Sequence, residues 1–130
     1  MARGIQSINS GVPEDAVPIT ASSGNVANAT ATATLTCPAG KTMFIGGFVV
    51  TGSGATAGAV VSITITGVVG GTQTYIYTAA TGAAVGNTPL AFDFPFAIPA
   101  TAMNTNIVVS CPALGAGNTN NAVVAYGYSR

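Results

Sequence analysis

The chain predicts an all-β fold: a seven- to eight-stranded antiparallel sandwich entered through an extended N-terminal arm. Three observations carry this. From residue 25 onward, apolar and polar side chains alternate with period two, the signature of half-buried strands. The alternating stretches are short and separated by Gly, Pro and Asn clusters at fairly even spacing. No stretch carries the longer 3.6-residue pattern of an amphipathic helix.

Residues 1–20 differ from the rest. They hold Arg3, Glu14, Asp15, Pro13 and Pro18, and their apolar pattern is Ile5 and Ile8, then Val12, Val17 and Ile19. Prolines at this density favour an extended course. Two readings stand side by side: an arm lying across a neighbouring subunit, with Ile5 and Ile8 as its anchors and Val12, Val17 and Ile19 behind them, or a terminal loop followed by one edge strand. The organisation is therefore an arm over 1–24 and a sandwich domain over 25–130.

The first strand of that domain alternates Ala27, Ala29, Ala31, Ala33 and Leu35 with Asn28, Thr30, Thr32, Thr34 and Thr36. Alanine favours helix, but the β-branched threonines at every second position favour strand. Pro38 and Gly40 end it. Thr42–Thr51 is the next strand, and Gly46-Gly47 within it predicts a bulge or the close approach of another backbone. A glycine-rich loop over 52–59 leads to Val61–Thr66, with Val61, Ile63 and Ile65 on the inner face. The short link Gly67 to Gly71 then makes a hairpin with Thr72–Thr78, where Tyr75 and Tyr77 share one face.

A loop over 79–88 precedes Leu90–Phe96. There Phe92, Phe94 and Phe96 fall on one face and Asp93 on the other, while Pro95 keeps the strand at a sheet edge. Residues 100–106 form a connection with room for a short helical turn. Ile107–Cys111 is a buried strand, 115–121 a turn, and Ala122–Tyr128 the last strand, aligning Val124, Tyr126 and Tyr128. Eight strands fit a jelly roll and seven an immunoglobulin-like sandwich.

Charge is scarce: three basic residues (Arg3, Lys41, Arg130) and three acidic ones (Glu14, Asp15, Asp93), 5% of the 130 residues against roughly 25% in ordinary domains. Three cations cannot neutralise a run of phosphates, so no nucleic-acid partner is expected. A hydrophobic share of 48% with zero net charge argues against disorder. No stretch is long and apolar enough for a membrane helix, and the opening MARGIQSINSG lacks the apolar core of a secretory signal. So thin a charge coat favours a surface buried against copies of itself or against a larger lattice.

Candidate chemistry is mostly excluded. Histidine is absent, so Cys37 and Cys111 lack the usual base that generates a thiolate, and no catalytic residues are assigned. Glu14 and Asp15 are adjacent and point apart on an extended chain, and Asp93 stands alone as an edge-strand charge. Two thiols and three carboxylates make no zinc set, and no loop matches a calcium motif, so no metal or cofactor is expected. Gly40-Lys41-Thr42 matches the end of a P-loop, but Leu35 occupies the first glycine position and a strand follows. The cysteines read as free thiols rather than as one disulfide. The aromatic sets Phe92, Phe94, Phe96 and Tyr126, Tyr128 read as core or subunit contact before they read as a sugar site, and a small-molecule ligand is disfavoured.

The block AGKTMFIGGFVVTGSGATAGAVVSITITGVVGGTQTY (39–75) and the closing GAGNTNNAVVAYGY (115–128) resemble small all-β virion proteins of tailed bacteriophages, above all capsid decoration or cement proteins. The similarity is one of character and covers residues 25–130. It implies a jelly-roll-like sandwich with a non-enzymatic structural role, binding the major capsid protein or another virion protein at the capsid surface. It also implies a homo-oligomer, a trimer by preference, that assembles in the host cytoplasm. A tail, head-fibre or spike component is the neighbouring alternative. A carbohydrate-binding sandwich using Tyr75, Tyr77 or the Phe92–Phe96 face is the alternative from another class.

Overall fold

The computed structural model describes residues 13–82 and 88–130. Its strands, in chain order, are β1 (Val17–Ser22), β2 (Ala31–Leu35), β3 (Met43–Ser53), β4 (Ala57–Gly58), β5 (Val60–Thr66), β6 (Gln73–Thr78), β7 (Leu90–Pro99), β8 (Ile107–Cys111), β9 (Gly115–Ala116) and β10 (Asn120–Ser129). No helix occurs among the described residues. Two four-stranded sheets run β1-β10-β3-β7 and β2-β8-β5-β6, β4 pairs with β9, and neither large sheet closes into a barrel. Among the described residues, every pairing between these strands is antiparallel.

The inward positions of both sheets meet in one cluster. Met43, Ile45, Phe48 and Val50 of β3 and Val123 and Ala125 of β10 come from one sheet; Ala31, Ala33, Leu35, Ile63, Ile65, Ile107 and Val109 come from the other. This arrangement is consistent with a β-sandwich. Phe48 is the largest fully buried side chain among the described residues, and the rings of Tyr75, Phe92 and Phe94 surround it at centroid distances of 5.2, 5.5 and 6.3 Å. Burying a side chain of this size contributes roughly 1.5–3 kcal/mol.

Several local expectations are corrected. The first strand of the expected domain starts at Ala31, not at residue 25. Asn28 adopts a left-handed φ of 51°, and the Val26 and Asn28 amides donate to the carbonyls of Asn121 and Asn118, so 25–30 is a loop fastened to the start of β10. Of the two readings of the first twenty residues, 17–22 take the edge strand: β1 pairs with β10 over its whole length, Val17↔Ser129 to Ser22↔Val124. Pro18 is tolerated there because an edge strand has ladder positions that need no donor. A boundary at 24/25 thus leaves a fully paired sheet strand on the arm side.

The glycine-rich stretch 52–59 is not all loop. β3 continues to Ser53, and Ala57–Gly58 pairs with Gly115–Ala116. Gly115 makes that possible: its φ is 135°, and a Cβ there would run into the Ala57 carbonyl. The connection after Ala100 holds no helical turn. Asn104 sits at φ 63°, its amide donates to Lys41 O at 2.8 Å, and its side-chain oxygen accepts from the Gly40 amide at 2.6 Å.

Between β3 and β7 the register jumps from Ile45↔Ile98 to Gly47↔Asp93, so Gly46 alone faces residues 94–97. This bulge lies on the edge strand and contains Pro95, which has no ladder donor to offer. It splits the expected phenylalanine face. Phe92 and Phe94 turn toward Phe48, and Phe96 is left 75% exposed.

Candidate functional site

The two outer faces are chemically unlike. On the β2-β8-β5-β6 sheet the register lines up Thr32, Ser110, Thr64 and Thr74 in one row across all four strands. Thr34, Val108 and Thr66 form the next row. Ser62, Ile76, Val60 and Thr78 complete an uncharged surface dominated by hydroxyls.

On the β1-β10-β3-β7 sheet the equivalent row is Thr20, Tyr126, Gly47 and Asp93. Gly47 leaves a bare floor, and the Tyr126 ring lies over it. A groove of about 390 Å³ opens beside this row, lined mainly by Pro18, Phe94, Pro95, Phe96, Tyr126 and Tyr128, with Asp93 its sole charged residue. The Tyr128 ring stacks on Phe44 with centroids 4.9 Å apart and 21° between planes, which fixes that wall. Burial, and secondarily the nearby Asp93 carboxylate, hold the Tyr126 hydroxyl above its ordinary pKa.

One carboxylate and two phenols in an apolar groove can bind and orient a partner group. No three of the chain's Cys, Asp and Glu residues gather among the described residues. The Arg130–Asp15 ion pair, at 3.4 Å with both side chains about half exposed, lies outside the lining.

The five arm residues proposed from sequence are placed unevenly. Ile5, Ile8 and Val12 lie outside the described residues. Val17 is 59% exposed, while Ile19 is half-buried and packs against the core. Tyr75 and Tyr77 share a face, and it is the inner one. The Tyr75 ring packs on Phe92 at 4.7 Å, and the Tyr77 hydroxyl donates to Thr88 O at 2.6 Å. Pro18, Thr20 and the glycine floor were not anticipated as parts of a site. The only local signal for them was Gly46-Gly47 in a strand; which aromatic would cover that gap depends on strand order.

Cys37 and Cys111 are free. Cys111 pairs with Ala31 at one end of β2, while Cys37 lies beyond the other end. Six residues of extended chain span on the order of 20 Å, and a disulfide needs Cα atoms within about 7 Å.

No protein-family model, curated protein or solved structure matches the chain.

Proposed function

We propose that this chain is a non-enzymatic structural protein of a tailed-phage virion, a capsid decoration or cement protein. It assembles as a homotrimer and binds the major capsid protein on the outer surface of the shell after folding in the host cytoplasm. The observation that carries the reading is the contrast between the outer faces. One sheet shows water an uncharged face of mostly hydroxyl side chains, with Val60 and Ile76 exposed among them. The other presents an aromatic and proline-lined groove holding a single charge. Aromatic surface with few charges suits lasting contact with another protein, and a hydroxyl face keeps the opposite side wetted without charge.

The strand order supports the same reading. The pairs β1·β10, β2·β8, β3·β7 and β5·β6 are nested like one long hairpin. The pairs β10·β3 and β8·β5 then join its layers into two sheets. We read the eight long strands as a jelly roll, an architecture that recurs in viral capsid proteins. Fold alone does not carry function, so the face contrast remains the primary support.

The test is binding to undecorated capsids. The wild-type chain is expected to saturate the shell at a stoichiometry of many copies, and Tyr128→Ser is expected to weaken that binding about tenfold, as loss of an aromatic contact residue does. A handful of copies per particle points to a tail, head-fibre or spike position instead. Absence of binding to any virion part, with a strictly monomeric chain, overturns the reading.

A further inference from the structure

We propose that the edge of β6 is a contact between two copies of this chain, which meet there across a two-fold axis and join their β2-β8-β5-β6 sheets into one. Among the described residues, four strands stand at the edges of the large sheets: β1 and β7 in one, β2 and β6 in the other. Edge strands are commonly guarded against pairing with another chain by charge, proline or a bulge. β1 carries Pro18, and β7 carries Asp93, Pro95 and the bulge opposite Gly46. β6, QTYIYT, carries none of these. β2 is bare as well, but its outward side chains are only Thr32 and Thr34. β6 instead turns Ile76 outward at 64% exposure, and Val60, 70% exposed, is its diagonal neighbour on β5. These are the two most exposed large aliphatic side chains among the described residues.

The strand matches itself. Opposite residues of an antiparallel pair lie on the same face, so a two-fold axis passes level with a residue and not between two. Centred on Ile76, the pairing sets Ile76 against Ile76, Thr74 against Thr78 and Tyr75 against Tyr77. Aliphatic and hydroxyl side chains then meet on the outer face and phenol rings on the inner one. No strand of this sheet carries a charged residue, so no like charges oppose the approach of an identical edge. A six-residue edge is about 20 Å long. It buries less than the roughly 1,200 Å² of a standard interface, so the contact is weak for a lone pair and gains where copies are held side by side. A two-fold contact is not one of a trimer's own. This one therefore goes beyond the proposed trimer and joins one assembly to the next.

Cross-linking of the free, full-length chain tests it. In Ile76→Cys, made together with Cys37→Ala, the two copies' Cα atoms at position 76 stand about 4.5–5.5 Å apart, within the span of a disulfide. Under oxidised glutathione this variant is expected to form a covalent dimer at least about tenfold faster than Met103→Cys in the same background, because paired thiols meet at a raised effective concentration. Met103 is 59% exposed, close to Ile76, but lies on the connection after β7. Sedimentation of the concentrated chain gives a second reading. Ile76→Lys is expected to halve the mass of the wild type at an unchanged melting temperature, since the side chain it replaces is exposed. Halving to a trimer upholds both this contact and the proposed trimer; halving to a monomer upholds the contact and overturns the trimer. Equal cross-linking rates at the two positions overturn the contact. So does a mass that Ile76→Lys leaves unchanged, and so does a mass that grows without limit as concentration rises, which would assign the edge to open-ended pairing with another surface.

Discussion

Tyr126 lies across Gly47, and its hydroxyl stands 3.4 Å from the Phe92 carbonyl and 3.5 Å from the Asp93 carboxylate, at the outer limit of hydrogen-bond reach. A Cβ on Gly47 would collide with both the Tyr126 hydroxyl and the Phe92 carbonyl oxygen. A Cβ on Gly46 would meet nothing closer than the Tyr126 carbonyl at 3.6 Å, an ordinary contact. Two adjacent glycines that look equivalent in sequence therefore have different reasons to be there. Gly47→Ala should lower stability by about 1–3 kcal/mol, because the backbone carbonyl it strikes cannot swing aside. Gly46→Ala should be neutral or slightly stabilising, since it restricts the unfolded chain without a clash. Denaturant midpoints of the two variants check this, and equal losses would contradict the geometry.

Burial and the same contact together raise the pKa of Tyr126. Its pKa is raised from 10.0 first by burial and then by Asp93. Removing the carboxylate should therefore bring the phenol part of the way back, not all of it. In Asp93→Asn, phenolate absorbance should grow in at lower pH than in wild type. The sign for stability follows: a raised tyrosine pKa contributes stability below the unfolded value of 10.0 and loses it as pH rises through the folded value. An unchanged titration curve would mean that Asp93 does not act on Tyr126.

Much of this fold was legible in the chain because strand periodicity is local. Ala31, Ala33 and Leu35, and Val61, Ile63 and Ile65, point inward as their alternation requires. The hairpin over Gly67–Gly71 also followed from its glycines. Period two failed where one strand departs from it. The bulge opposite Gly46 puts Phe96 out of step with Phe92 and Phe94, and no feature of LAFDFPFAIP announces the jump except Pro95. The β4–β9 ladder escaped notice because two residues of Ala and Gly carry no pattern. The groove was the least legible part. Its walls come from β1, β3, β7 and β10, and their adjacency is a matter of strand order, which nearest-neighbour patterning does not encode.

Asn121 is the polar pivot at one end of the core. It is fully buried, and its side-chain nitrogen lies 3.3, 3.2 and 3.1 Å from the carbonyls of Ala29, Cys111 and Pro112. It thereby ties the loop before β2 to the end of β8. Its own side-chain oxygen is buried with no partner among the described residues. Asn121→Ala removes the donor and leaves those carbonyls facing a cavity, at about 1–3 kcal/mol for each group left unsatisfied. We expect a loss of at least about 2 kcal/mol in equilibrium unfolding. Asn120→Ala, in which exposed side-chain contacts to Asn25 and Ser53 are lost, should cost well under half as much. Similar losses at the two positions would deny Asn121 its role.

The thiols give a test that separates burial from sequence position. Cys111 is fully buried, and burial pushes its pKa from 9.0 up to about 11. Cys37 is half-buried, with its Sγ 3.1 Å from the Lys41 carbonyl. A thiol reagent near neutral pH should modify Cys37 first and leave Cys111 untouched until the chain is unfolded, because only an accessible thiolate reacts. The unfolded chain gives up the Cys111 proton near pH 9, while the folded chain holds it to about 11. Stability is therefore intact below 9.0 and declines as pH rises from there toward 11. Tyr75 and Tyr77, also raised by burial, add to the decline above 10.0. Cys111→Ala should flatten the part of the curve that begins near 9.0 and leave the steeper part above 10.0 in place. A variant whose stability falls with pH as the wild type does would show that the thiol is not the group responsible.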